Sequence, residues 1–221
     1  MNRLSTWSLR ALLLALPLVL IAAAIPLLID GVAYEQAFPT AIYMPMNVAL
    51  PRANYTAAAQ ALAHGAAANG EREILEAEAL RLSGADPSRV AAALEQGLSH
   101  APASARGWML LAETLAPTDR AKAASALSAA LMLAPNEYFL VGRLVRDAGA
   151  LWDVLPKDSR DLAVDDAPVL WRDPNLRYAL RPILATKGGA ALMTEAFRYA
   201  PEDLRALNRY VAEQRLEDLR R

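Results

Sequence analysis

Ala-Pro pairs stand at Ala101-Pro102, Ala134-Pro135, Ala167-Pro168 and Ala200-Pro201, each step being 33 residues. One further pair, Ala116-Pro117, is out of phase. Five positions before each in-phase proline comes a small residue: Gly97, Ala130, Ala163 and Ala196. Four positions before comes an apolar one: Leu98, Leu131, Val164 and Phe197. Eight before come Leu94, Leu127, Arg160 and Met193, of which only Arg160 breaks the column. Columns of this kind describe a helix that packs small and large apolar residues inward and is stopped by proline. Composition agrees, since 48 of 221 residues are alanine, the best helix former, against 10 Gly and 3 Phe. The expectation is an all-α chain; β-branched and aromatic runs are too few for an all-β fold.

A period near 34 residues is the mark of stacked helix-turn-helix units. The stretch Gly107 to Pro135 carries it best, with Trp108, Leu111 and Ala112 on a first helix. Ala123, Leu127, Ala130 and Pro135 follow on a second. Here the chain resembles the tetratricopeptide repeat family, whose first-helix W-x2-L-G/A signature these residues match. The resemblance implies an α-solenoid of degenerate helical hairpins over roughly Glu71 to Ala200, with Trp108, Leu111, Ala112, Leu127, Ala130 and Pro135 packing the repeat. Glu71 to Pro102 fits less fully, with Ala79, Leu94, Gly97 and Pro102 in place. Asp86-Pro87 supplies an N-cap and a first-turn proline for its second helix. Beyond Pro135 the pattern fades. Leu151 to Asp173 reads as short irregular helices, Asp173-Pro174 restarts a helix to about Ala185, and Gly188-Gly189 reads as a turn.

Ala11 to Ile29 is a run of 19 apolar residues without a charge. As a helix it spans about 28 Å, close to the hydrocarbon thickness of a bilayer. Arg3 and Arg10 precede it, and Asp30 and Glu35 follow, with no positive charge before Arg52. That asymmetry predicts a single-pass anchor with a cytoplasmic N-terminus and the remainder across the membrane. A cleaved signal peptide is the competing reading, although its apolar core is usually shorter, about 7–15 residues. Gly31 to Asn54 holds Pro39, Pro45 and Pro51 among Tyr34, Phe38, Tyr43 and Met46. Prolines at that spacing argue against one continuous helix, so extended or turn structure is expected there. The organisation is then an anchor at 1–30, a juxtamembrane connector at 31–53, a helical repeat domain at 54–200 and a terminal capping helix at 201–221.

Groups that carry chemistry are scarce. There is no cysteine, hence no disulfide, thiolate nucleophile or thiolate metal site. His64 and His100 are 36 residues apart and fit helix-end caps better than ligands or bases. No nucleophile elbow, phosphate loop or dinucleotide fingerprint occurs. Glu71, Glu73, Glu76 and Glu78 read as solvated acids opening a helix, with Arg72 and Arg81 nearby. Asp158, Asp161, Asp165 and Asp166 read as an exposed helix face. A net charge of −1 argues against a nucleic-acid partner. No catalytic residue, metal ligand or cofactor site is therefore expected.

One constellation stands apart: Trp152, Arg160, Trp171, Arg172, Arg177, Tyr178 and Arg181. Tryptophan and arginine are the residues most enriched where proteins bind one another. The same residues also fit a second role, with the indoles filling the concave side of an irregular repeat and the arginines lying over it. The excess of arginine over lysine, 20 to 3, suits a bacterial coding bias. Together these features describe a non-enzymatic adaptor in a bacterial inner membrane, its helical domain periplasmic and its partners proteins in the membrane or periplasm. The lipid bilayer is met through residues 11–29. The layout of anchor, short helical domain and Leu155-Pro156…Arg160 weakly resembles small anchored proteins of bacterial exopolysaccharide biosynthesis systems. That resemblance implies a scaffold in synthesis and export of a polymer. An accessory subunit of a larger membrane complex and a secreted binding protein are the alternatives.

Overall fold

A computed structural model describes residues 3–44, 49–65, 69–134 and 137–219. Among the described residues there are eleven α-helices, one 3-10 helix and no strand. The chain is all-α. Its contacts divide it into two compact units, Met1–Ala101 and Pro102–Arg221, so the boundary falls inside the expected 54–200 domain.

The first unit contains α1 (Arg3–Ala41), α2 (Arg52–Ala63), α3 (Gly70–Ser83) and α4 (Pro87–His100). Each helix packs on the next in sequence, and α1 also touches α3. One helix is long and apolar enough to cross a membrane: 27 residues, Ala15–Ala41, belong to that stretch of α1. Leu16, Leu18, Val19, Leu20, Ile21, Ile25, Leu27 and Leu28 are all exposed, so this is no core helix. The expected break after residue 30 does not occur. The helix continues to Ala41 through Pro17, Pro26 and Pro39, because Ala33, Ala37 and Ala41 are buried on its inner face while Pro39 points outward. At Pro39 tertiary packing outweighs the single hydrogen bond that the proline removes. Pro45 and Met46 lie outside the described residues.

Of the acids opening α3, Glu71 is exposed as expected and Glu76 is half-buried. Glu73 and Glu78 are buried, as is Arg72. α3 has α2 and α4 against it and α1 beside it, leaving only a narrow face to water. Its charges are therefore paired: His100 Nδ1 lies 2.7 Å from Glu73 Oε2, making His100 a tie between α4 and α3 as well as a helix-end residue. Arg72 reaches Asp30 Oδ1 at 3.6 Å and donates from Nη1 to the Leu62 carbonyl, joining three helices. Asp86 caps α4 as expected, accepting from Ser88 N at 2.8 Å, with Pro87 in the first turn. The column glycine is a close approach: a Cβ on Gly97 would stand 2.9 Å from Ile74 Cγ1.

The second unit contains α5 (Ala105–Leu115), α6 (Arg120–Leu133), α7 (Tyr138–Ala150) and α8 (Lys157–Arg172). A 3-10 helix (Pro174–Ala179), α9 (Leu180–Leu184), α10 (Lys187–Ala196) and α11 (Pro201–Leu219) follow. α5 and α6 form a hairpin capped by Ser104 and Asp119, and α7 and α8 pack beside it. Leu111, Ala112, Leu127 and Ala130 are buried in this hairpin. Trp108 is half-buried and donates Nε1 to the Pro102 carbonyl at 2.9 Å. Pro135 lies outside the described residues. Ala130→Leu is expected to destabilise the unit by about 1–3 kcal/mol through overpacking, whereas Ala129→Leu, half-buried, does less. Melting temperatures of the two variants check this.

Past Pro135 the expected irregularity is replaced by one 16-residue helix, α8, with Pro168 inside it rather than ending it. Ala163, Ala167 and Leu170 are fully buried along this helix, and their packing holds it through the proline. Gly188-Gly189 is not a turn but the first turn of α10, which Thr186 caps. α10 packs on both α7 and α8 there.

Candidate partner-binding surface

The residues expected to form one surface fall into two groups. In the first, the Arg160 guanidinium lies 5.4 Å from the centre of the Trp152 ring. Trp152 follows α7, and Arg160 sits one turn into α8, where Leu155 is buried and Pro156 starts the helix. The Leu155-Pro156…Arg160 string thus has a local structural role. Both residues line a cavity of about 710 Å³ together with Lys157, Asp161, Glu195 and Arg198. Its charges are largely paired, Lys157 Nζ with Asp161 Oδ2 at 2.5 Å and Arg198 Nη1 with Glu195 Oε1 at 2.8 Å. Trp152 also borders a second cavity of about 530 Å³ beside Gly149, Thr186 and Lys187. A half-buried indole between two charged hollows suits recognition; none of the six acidic and basic groups named or paired there is a nucleophile awaiting a base.

In the second group, Arg177 stacks 4.5 Å from the Trp171 ring centre and donates Nε to the Trp171 carbonyl at 3.0 Å. Tyr210 of α11, which sequence reasoning missed, meets Trp171 edge-on at 6.0 Å and Arg177 at 5.8 Å. Trp171 is half-buried, so it is neither a core residue nor a free surface indole. Its local work is to hold α11 against the end of α8. Arg172 and Arg181 are exposed, and Tyr178 is 67% exposed. The signal for Tyr210 was faint: it lies in a helix whose buried positions, Leu207 and Val211, are four residues apart.

A buried ionic cluster between α5 and α7 also escaped the sequence reading. Arg143 grips Glu113 with two bonds, Nε to Oε1 at 3.0 Å and Nη2 to Oε2 at 2.6 Å. Arg146 Nη2 reaches Glu113 Oε1 at 2.6 Å, and its Nε donates to Asp147 Oδ1 at 2.9 Å. The other oxygen, Asp147 Oδ2, is buried without a hydrogen-bond partner. Burial, followed by the charge of Glu113, pushes the Asp147 carboxyl up to about 7 from 3.8. The readable trace is the Arg143/Asp147 spacing of one turn on an otherwise apolar helix face.

The raised carboxyl has a definite consequence for stability. Between its unfolded and folded values Asp147 holds a proton in the folded state that the unfolded chain has lost. Its contribution is present below about pH 4 and is lost as pH rises through about 7. The Asp147→Asn variant lacks this titration. Its melting temperature relative to wild type is therefore expected to climb from pH 4.5 to 7.5 and level off above. Thermal unfolding across that range gives the difference curve.

The remaining acids are spread out. Asp158, Asp161 and Asp165 are exposed on α8. Asp166 is half-buried, and its carboxyl is raised by burial and by the charge of Asp165. His64 closes α2, its Nδ1 2.5 Å from the Gln60 carbonyl. Among the described residues no three His, Asp or Glu side chains converge where a metal ion would sit. Comparison with protein-family models, with curated proteins and with solved structures finds no match to this chain.

Proposed function

We propose that the chain is a non-enzymatic scaffold, anchored in a bacterial inner membrane by α1, whose helical units outside the cytoplasm gather protein partners of an envelope assembly complex. One observation carries this reading: no residue of α1 from Ala15 to Ile29 is buried, and the helix runs without a break into a packed helical unit. A helix so exposed needs an apolar surrounding, and a bilayer supplies one. The helical hairpins behind it offer surface for binding, and a fold of this kind brings no reaction of its own. The Trp152 hollow, with its indole and mixed charges, is the best candidate contact for a partner. The orientation rests on Arg3 and Arg10 before the span against Asp30 and Glu35 after it.

Two fusions at the C-terminus test the reading. Alkaline phosphatase is expected to be active and a fluorescent protein that matures only in the cytoplasm dark. The reverse pair of results overturns the orientation and the envelope role. Affinity capture of the full chain in mild detergent should then recover the same partner proteins from wild type, and less of them from Trp152→Ala.

A further inference from the structure

We infer that the outer third of α1 is a lipid-contacting surface, which seats the first unit on the bilayer's interfacial layer instead of holding it clear on a stalk. This rests on the anchor reading above and extends it. The charge-free run Ala11–Ile29 makes about 28 Å of helix, close to the hydrocarbon thickness, and α1 continues for 12 residues beyond it to Ala41. The first turns of that continuation lie at the depth of the headgroups. There α1 has two distinct sides. Ala33, Ala37, Ala41 and Met44 are buried within the unit. Tyr34, Phe38 and Ile42, spaced four residues apart, are 47%, 45% and 42% exposed. Leu27 and Gly31 stand on the adjoining row below them, which ends in Glu35.

The charges in this segment fit the same placement. Asp30, at the end of the apolar run, is withdrawn from lipid by its pairing with Arg72. Thr40 is buried on the protein side. Glu35 and Gln36 are exposed and lie off the Tyr34–Phe38–Ile42 line, where a tilted helix would turn them to headgroups and water. Tyrosine has an apolar body and a polar tip, the composition that membrane interfaces favour.

The chain has no cysteine, so single cysteines can carry a nitroxide label in the full-length protein. Leu20→Cys, Phe38→Cys and Gln96→Cys, each exposed, would be reconstituted in vesicles of phosphatidylcholine and phosphatidylglycerol. Collision rates with oxygen, which concentrates in lipid, and with a water-soluble nickel chelate are then compared. The inference expects the oxygen-to-nickel ratio at Phe38 to lie several-fold above that at Gln96 and below that at Leu20. A ratio at Phe38 equal to that at Gln96, with Leu20 still in lipid, overturns the inference and leaves the anchor intact. Spin–spin broadening at Phe38 that disappears on dilution with unlabelled chain overturns it in favour of a second copy. A water-like ratio at Leu20 overturns the anchor reading and the inference together.

Discussion

Gly189→Ala is expected to destabilise the second unit by about 3 kcal/mol, the upper end for forcing a methyl group into a packed interior. A Cβ at this position would run into the Ile183 carbonyl oxygen and stand 2.8 Å from Thr186 Oγ1, the hydroxyl that caps α10. Neither neighbour is the loose end of a flexible side chain. Across the contact, a Cβ on Gly149 of α7 would stand 2.7 Å from Gly189 Cα, so the two helices meet backbone to backbone. Gly31→Ala, with nothing within 4 Å of its added Cβ, is the control and should leave the unfolding transition of the second unit unchanged. Urea unfolding of both variants in the full chain, followed by the fluorescence of the second unit's tryptophans, measures the contrast.

The second large effect belongs to the α5–α7 ionic cluster. Arg143→Leu removes the guanidinium that binds both oxygens of Glu113 and leaves a mostly buried carboxylate facing Arg146. Breaking one side of such a pair costs about 3–5 kcal/mol, and the remaining arginine places this case near the lower figure. Replacing both partners, Glu113→Leu with Arg143→Leu, should recover most of the loss, because apolar residues of similar volume need no counter-charge. Equal instability of single and double variants would mean that shape, not charge, is what the site requires.

Local signals and tertiary ones were legible to different degrees. The hairpins α3–α4 and α5–α6 could be read because the start of α4 is written in Asp86-Pro87 and the helix interiors in small columns such as Gly97 and Ala130. Pro39 and Pro168 misled because proline reports only its own missing donor. It says nothing of the alanines at 33, 37, 163 and 167 whose burial holds the helix together. The acids of α3 misled for a related reason. A helix covered on several sides shows no polar stripe, so Glu73 and Glu78 look like solvent residues until His100 and Arg81 are placed beside them. In the candidate surface, the pairing of Arg160 with Trp152 was within reach at eight residues' separation. The junction of Trp171 with Tyr210 spans 39 residues and depends on where the last helix lies.

The unbroken α1 has a mechanical consequence. A 39-residue helix is a rod of about 58 Å with no loop between its exposed apolar length and the part packed on α2 and α3. A domain on a floppy tether tumbles and must give up rotational freedom each time it docks. The first unit, fixed to such a rod, has already lost most of that freedom. Anchored as proposed, it would diffuse in the plane of the bilayer with one side held up to neighbouring membrane proteins, so even a small contact area would gain in effective strength. Whatever tilts the rod, including a change in bilayer thickness, turns that side as well.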